Sequence, residues 1–161
     1  MTDLEKLLAI EEIRQLRPKY FRVIDAKEFD QLEELFTPDA WFDSQDAVKD
    51  PIKGQYPGFP IAPVSRGREA VVQGIIDGLP PALQSCHMGH TGEIELLSDT
   101  TAKGIIPFSV RLLLPGVIAT AGYGYYYDEY EKLDGKWRIK SATLKRKRVI
   151  FEDELGNGVA L

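Results

Sequence analysis

The stretch YYDEYEKLDGKWRIK spans residues 126–140, and its reading decides the fold class. Asp134–Gly135 is a two-residue hairpin signal lying between two runs rich in aromatic and β-branched residues. Upstream, VIATAGYGYYYDEYEKL (117–133) forms one long arm. Downstream, KWRIKSATLKRKRVIFED (136–153) forms the other. Two more β-rich segments precede this hairpin, CHMGHTGEIELLS (86–98) and AKGIIPFSVRLLL (102–114), with SDT and PG as the intervening turns. The chain is therefore strand-like from Ser85 onward.

The first half reads differently. Leu4, Leu7, Leu8, Ile13 and Leu16 recur at three- and four-residue spacings, which predicts an amphipathic helix with Thr2 and Asp3 as cap candidates. Pro18 should bend or briefly interrupt it, and the period resumes at Tyr20, Phe21, Val23 and Ile24. A second helix is expected over 28–36, stopped by TPDA, and a first strand at AWFDSQD (40–46). Residues 46–65 hold four of the ten prolines and read as a long loop, a candidate lid or partner-contact segment. RGREAVVQGIIDGL (66–79) predicts a third helix. Helices first and long strands afterwards is α+β segregation, with helices on one face of a curved, mostly antiparallel sheet. At 161 residues the chain reads as a single domain, 1–161.

Composition excludes several functions. The longest apolar run is well short of the ~20 residues that span a bilayer. A net charge of −5 argues against nucleic acid as a partner over the whole surface. One cysteine excludes an internal disulfide framework. The N-terminus lacks the basic start and apolar block of a signal peptide, so the expected location is cytoplasmic.

Both histidines lie in QSCHMGHTGEI (84–94), beside that cysteine. On a strand, positions three apart project to opposite faces, so His87 and His90 do not easily share one metal ion. Cys86 and His87, as sequence neighbours, also face opposite ways, which weakens a cysteine–histidine nucleophile. Spacing alone leaves a structural role for both histidines open. In AGYGYYYDEY, alternation sets Tyr123, Tyr125 and Tyr127 against Tyr126, Asp128 and Tyr130. Either set lines a pocket, or the tyrosines simply suit a half-exposed sheet. LKRKRV (144–149) splits into Lys145 and Lys147 against Arg146 and Arg148, a charged strand from which one inward cation could serve as an oxyanion site. Arg111 reads as a solvated strand residue.

Taken in order, KYFRVIDAKEFDQLEELF (19–36), CHMGHTGEI (86–94) and YYDEYEKLDGKWRIK (126–140) resemble the SnoaL-like branch of the nuclear transport factor 2-like superfamily. Within it they look most like the bile acid 7α-dehydratases, with scytalone dehydratases and hexachlorocyclohexane dehydrochlorinases as more distant relatives. The resemblance covers roughly Leu4 to Asp153, with the proline-rich loop as an insertion. It implies a cone-shaped sheet wrapped around the N-terminal helix, a cystatin-like α+β barrel with an apolar pocket at its open end. It also implies His87 as a base, Asp25 as its orienting carboxylate and Tyr20 as a donor to the leaving atom. Val110, Phe108, Tyr126 and Trp41 are the candidate substrate contacts. The implied chemistry is a cofactor-independent elimination on a small apolar ring compound, such as a steroid, terpenoid or aromatic catabolite, needing no metal. Such folds commonly form homo-oligomers, dimers or trimers. Retro-aldol cleavage, isomerisation, a non-catalytic binding or assembly module, and a beta-like subunit of a ring-hydroxylating oxygenase are the alternatives. In one respect the chain departs from the dehydratase pattern: Val110 stands where that family carries a further acidic residue.

Overall fold

The computed structural model describes residues 1–55 and 58–152; Asp153, expected at the end of the last strand, lies outside them. The hairpin around Asp134–Gly135 is the spine of the sheet. Its arms are β8 (Ile118–Leu133) and β9 (Lys136–Glu152), and both turn residues have positive φ, 51° and 76°, as such a tight turn requires. β7 (Thr101–Leu114) pairs with β8 along its full length, and β5 (Gln84–Gly89) and β6 (Glu93–Leu96) both pair with β7. Beyond β9, β1 (Phe36–Asp43) runs parallel to it, and β4 (Ser65–Arg66) completes that edge. All other pairings are antiparallel, in the order β4-β1-β9-β8-β7-β5.

α1 (Asp3–Ala26) begins with a capping box. The Thr2 hydroxyl accepts from the Glu5 amide and the Thr2 amide donates to the Glu5 carboxylate, satisfying two donors that the first turn leaves open. The helix packs against β5, β6 and β9. Those strands lie on both sides of the sheet's centre, so the sheet must curve around the helix. This is the expected α+β architecture, a curved and mostly antiparallel sheet holding an N-terminal helix. Ile13, Leu16, Tyr20, Phe21, Val23 and Ile24 are buried between them.

Several local expectations are corrected. Pro18 does not interrupt α1, because it sits on the solvent face, where the carbonyl it deprives of a donor is open to water. Leu4, Leu7 and Leu8 are exposed, so their periodicity does not mark a core-facing stripe. Residues 28–36 form two 3-10 turns, Phe29–Gln31 and Glu33–Leu35, rather than a helix. Phe36 already belongs to β1, and TPDA lies inside that strand. Pro38 is tolerated there because it falls where the register against β9 jumps, from Phe36↔Ile139 to Trp41↔Ser141.

CHMGHTGEIELLS is two strands. Between Gly89↔Phe108 and Glu93↔Ile105 the β5–β6 side carries one extra residue, and His90 donates its amide to the Pro107 carbonyl. The loop expected at 46–65 contains a small ribbon, β2 (Lys49–Asp50) and β3 (Gly54–Gln55). Asp50 clamps that ribbon to β9, accepting from the Ile52, Lys53 and Val149 amides and from Arg148. α2 (Arg68–Asp77) is the expected third helix, slightly shorter than 66–79.

Candidate active site

β5 places Ser85 and His87 on one face, since they are two residues apart. α1 ends alongside, presenting Phe21 and Asp25, which share a helix face at four-residue spacing. The result is a fixed imidazole. His87 Nδ1 lies 2.6 Å from Asp25 Oδ1, the Ser85 hydroxyl donates to the same oxygen at 2.7 Å, and the His87 amide donates to Oδ2 at 2.7 Å. The ring stacks on Phe21 with centroids 5.4 Å apart and planes 8° from parallel. Burial pushes the Asp25 carboxyl up, but the hydrogen bonds from the His87 ring, the His87 amide and Ser85 outweigh it and hold the group below its ordinary value. An ionised carboxylate at Nδ1 retains the proton there and leaves Nε2 as the basic atom.

Ser85 and Phe21 are absent from the sequence-derived site. Both were detectable: Ser85 from strand alternation with His87, Phe21 from its helical spacing to Asp25. Gly89 gives the stacked Phe21 ring its room, because a Cβ there would stand 3.0 Å from that ring and press on it.

The other expected residues divide. Phe108, Val110 and Tyr126 are buried on the concave face of the sheet. Val110 is directly opposite His87 in the β5–β7 ladder, and Phe108 and Tyr126 pack ring to ring at 4.6 Å. Tyr20 joins this group, 5.6 Å from Phe21 and 6.5 Å from Tyr126 between ring centroids. Trp41 does not. It is half-buried beside Arg66, while Phe42, on the opposite face of β1, is the residue that reaches Tyr126, at 6.2 Å. Arg111 is exposed and bonds Glu152. Cys86 and His90 are exposed as well.

A buried ion pair braces the far side. Arg17 on α1 makes a two-pronged bond to Asp128 on β8, which also accepts from the Tyr130 hydroxyl at 2.8 Å. The Arg17 guanidinium lies 3.9 Å from the Tyr126 ring centroid and 5.0 Å from that of Tyr20. Burial opposes the Arg17 charge, yet Asp128 more than restores it. Burial, followed by the neighbouring Tyr126, raises the Tyr20 phenol well above its usual range. The Tyr20 phenol thus stays neutral and is a poor proton source.

Among the described residues, no group of three His, Cys, Asp or Glu side chains is placed to hold a metal ion, and no helix is long and apolar enough to cross a membrane. A surface groove of about 410 Å³ lies between the 3-10 turns and α2, lined by Phe29, Asp30, Glu33 and Glu69 among others; it shares no residue with the dyad.

Comparison with known proteins agrees with this architecture. A candidate scytalone dehydratase from Novosphingobium aromaticivorans DSM 12444 superposes with a TM-score of 0.75 at 21% identity, over 92% of this chain and 90% of that one. The hexachlorocyclohexane dehydrochlorinase LinA-type3 from Novosphingobium barchaimii LL02 gives 0.74 at 18% identity, over 99% and 100%. A candidate aromatic ring hydroxylase from Novosphingobium aromaticivorans gives 0.69 at 16% identity, over 85% and 87%. At these identities the likeness is one of fold. The family model described as "SnoaL-like domain" matches residues 5–143, from the first turn of α1 into β9, and the chain belongs to that family.

Proposed function

We propose that this protein is a lyase that eliminates a small leaving group from an apolar ring compound, with His87 as the base. One observation carries the proposal: Asp25, itself held by Ser85 and the His87 amide, accepts from Nδ1 of His87 and leaves Nε2 for a substrate proton. Nε2 removes a proton from a ring carbon, that C–H pair becomes the new double bond, and the adjacent bond to oxygen or halogen breaks. Tyr20 donates a hydrogen bond to the departing atom. The proton gained by His87 then leaves with the departing group or passes to solvent.

Membership of the SnoaL-like family supports the reading, as do the names of two fold neighbours, a dehydratase and a dehydrochlorinase, both of which describe eliminations. Val110 supplies no second acid, and the leaving atom is assigned to the Tyr20 phenol on α1. The aromatic lining of Phe21, Phe108 and Tyr126 favours a ring over a flexible chain. The same groups would serve a retro-aldol cleavage or a double-bond shift.

A second reading, a non-catalytic binding module, is favoured by how densely aromatic rings fill the space between α1 and the sheet. One experiment separates them. Hydroxylated and halogenated ring compounds are incubated with the protein, without added cofactor, and followed for a new conjugated chromophore. The lyase reading expects product from the wild type and none from a folded His87→Ala variant. Equal product from both would remove His87 from the mechanism, and no product from any compound would favour the binding module.

A further inference from the structure

Of the basic run on β9, Lys145, Arg148 and Arg146 meet different fates. Lys145 pairs with Asp46, and Arg148 with Asp50. Arg146 points inward, is 8% exposed, and makes no ion pair among the described residues. Its Nε donates to the Ala47 carbonyl at 3.3 Å and its guanidinium lies 4.9 Å from the centroid of Phe108. Its Nη1 has no hydrogen-bond partner among the described residues. Buried charges are ordinarily matched by an opposite charge, as Arg17 is by Asp128 in the same interior. Burial accordingly drags the Arg146 guanidinium below its usual range, with no carboxylate to counter it.

The place of that group relative to the dyad is defined by the sheet. A Cβ on Gly122 would stand 3.1 Å from Arg146 Nη1, so the guanidinium head packs closely over Gly122. Gly122 is opposite Val110, and Val110 is opposite His87. Two strand spacings, about 10 Å, therefore separate the backbone beneath the cation from that of the base, with Phe108 and Tyr126 on the same concave face. We infer that Arg146 is an anion-recognition point and that the substrate is a one- or two-ring compound carrying a carboxylate. The carboxylate docks on Arg146 while the ring lies against Phe108 and Tyr126, its reactive carbon toward His87. This assignment rests on the site proposed above and adds to it the polar group the substrate must carry. A guanidinium presents paired donors that match a carboxylate's two oxygens, whereas a cation serving only to tie Ala47 to β9 has no need of a ligand.

Binding tests this independently of turnover. Titration calorimetry with the full chain compares benzoate with benzamide and 2-naphthoate with 2-naphthamide, pairs matched in shape and different in charge. The wild type should bind at least one of the acids tenfold or more tightly than its amide. Arg146→Gln should erase that preference, and Arg146→Lys should keep part of it. Equal binding of acid and amide by the wild type, or an undiminished preference in folded Arg146→Gln, would overturn the assignment. Repeating the wild-type comparison in His87→Ala keeps the two claims apart: a retained acid preference supports Arg146 whatever happens to turnover. An acid preference that vanishes with His87 would instead place the anion at the imidazole and refute Arg146.

Discussion

His87 is gripped from two sides by residues four apart on one helix: Phe21 stacks on its ring, and Asp25 holds its Nδ1 at 2.6 Å. The last turn of α1 thus sets the orientation and tautomer of a side chain on β5, more than sixty residues away in sequence.

Replacing Asp25 by Asn preserves size and removes the charge that retains a proton on Nδ1. We expect kcat/KM to fall by up to about 10⁴-fold, the size of loss that follows when the aspartate of a Ser-His-Asp triad is neutralised. Ser85→Ala removes one of the carboxylate's donors and should cost about 1 kcal/mol of stability, with a smaller loss of rate. Steady-state kinetics beside denaturant unfolding separates the two effects.

Asp25 also predicts a pH dependence of stability. Its folded pKa lies below its unfolded one, so its contribution is complete above the ordinary aspartate value and is lost as pH falls through the depressed folded value. The stability gap between wild type and Asp25→Asn should therefore be largest near neutrality and narrow on acidification below about pH 4. Denaturant titrations at pH 7, 5, 4 and 3 check this; a gap that widens in acid would contradict it.

Arg17 and Asp128 are fully buried and bonded to each other. Removing one partner strands the other, so Arg17→Met or Asp128→Leu alone should destabilise by about 3–5 kcal/mol. The double variant should recover much of that loss, because no uncompensated charge remains. Chemical denaturation of the four proteins measures the coupling directly.

Asp50→Ala should release the ribbon at 49–55 from β9. Four donors lose their acceptor, of which the Val149 amide is buried, at a cost of about 1–3 kcal/mol. Hydrogen exchange should speed up at Ile52, Lys53 and Val149 while the β7–β8 ladder keeps its protection.

Much of this arrangement is legible in the residues. The Asp-Gly turn with its long alternating arms specifies the β8–β9 hairpin; the periods put Asp25 on a helix and His87 on a strand, while their pairing comes from the family resemblance and not from spacing. What sequence misjudged was decided by tertiary context. Leu32, Leu35 and Phe36 are buried, and their apolar spacing imitates a helix. The chain there has only two tight turns before β1 must join β9 in parallel. Leu4, Leu7 and Leu8 carry a helical period on turns that extend past the sheet, where nothing among the described residues covers them. Trp41 and Phe42 are adjacent, and only the β1–β9 register tells which of the two faces inward. Arg146 was visible merely as one cation among four, since burial and the absence of a counter-charge are properties of the folded state.

The central claim is that Asp25 holds the neutral imidazole of His87 with its proton on Nδ1. With two histidines in the chain, long-range ¹H–¹⁵N correlation spectra resolve each ring. They are best recorded at about pH 8.5, some two units above the ordinary histidine pKa. The account predicts a protonated Nδ1 and a bare Nε2 for His87, reverting in Asp25→Asn toward the Nε2–H form that a free imidazole prefers. An Nε2–H tautomer for His87 in the wild type would contradict it.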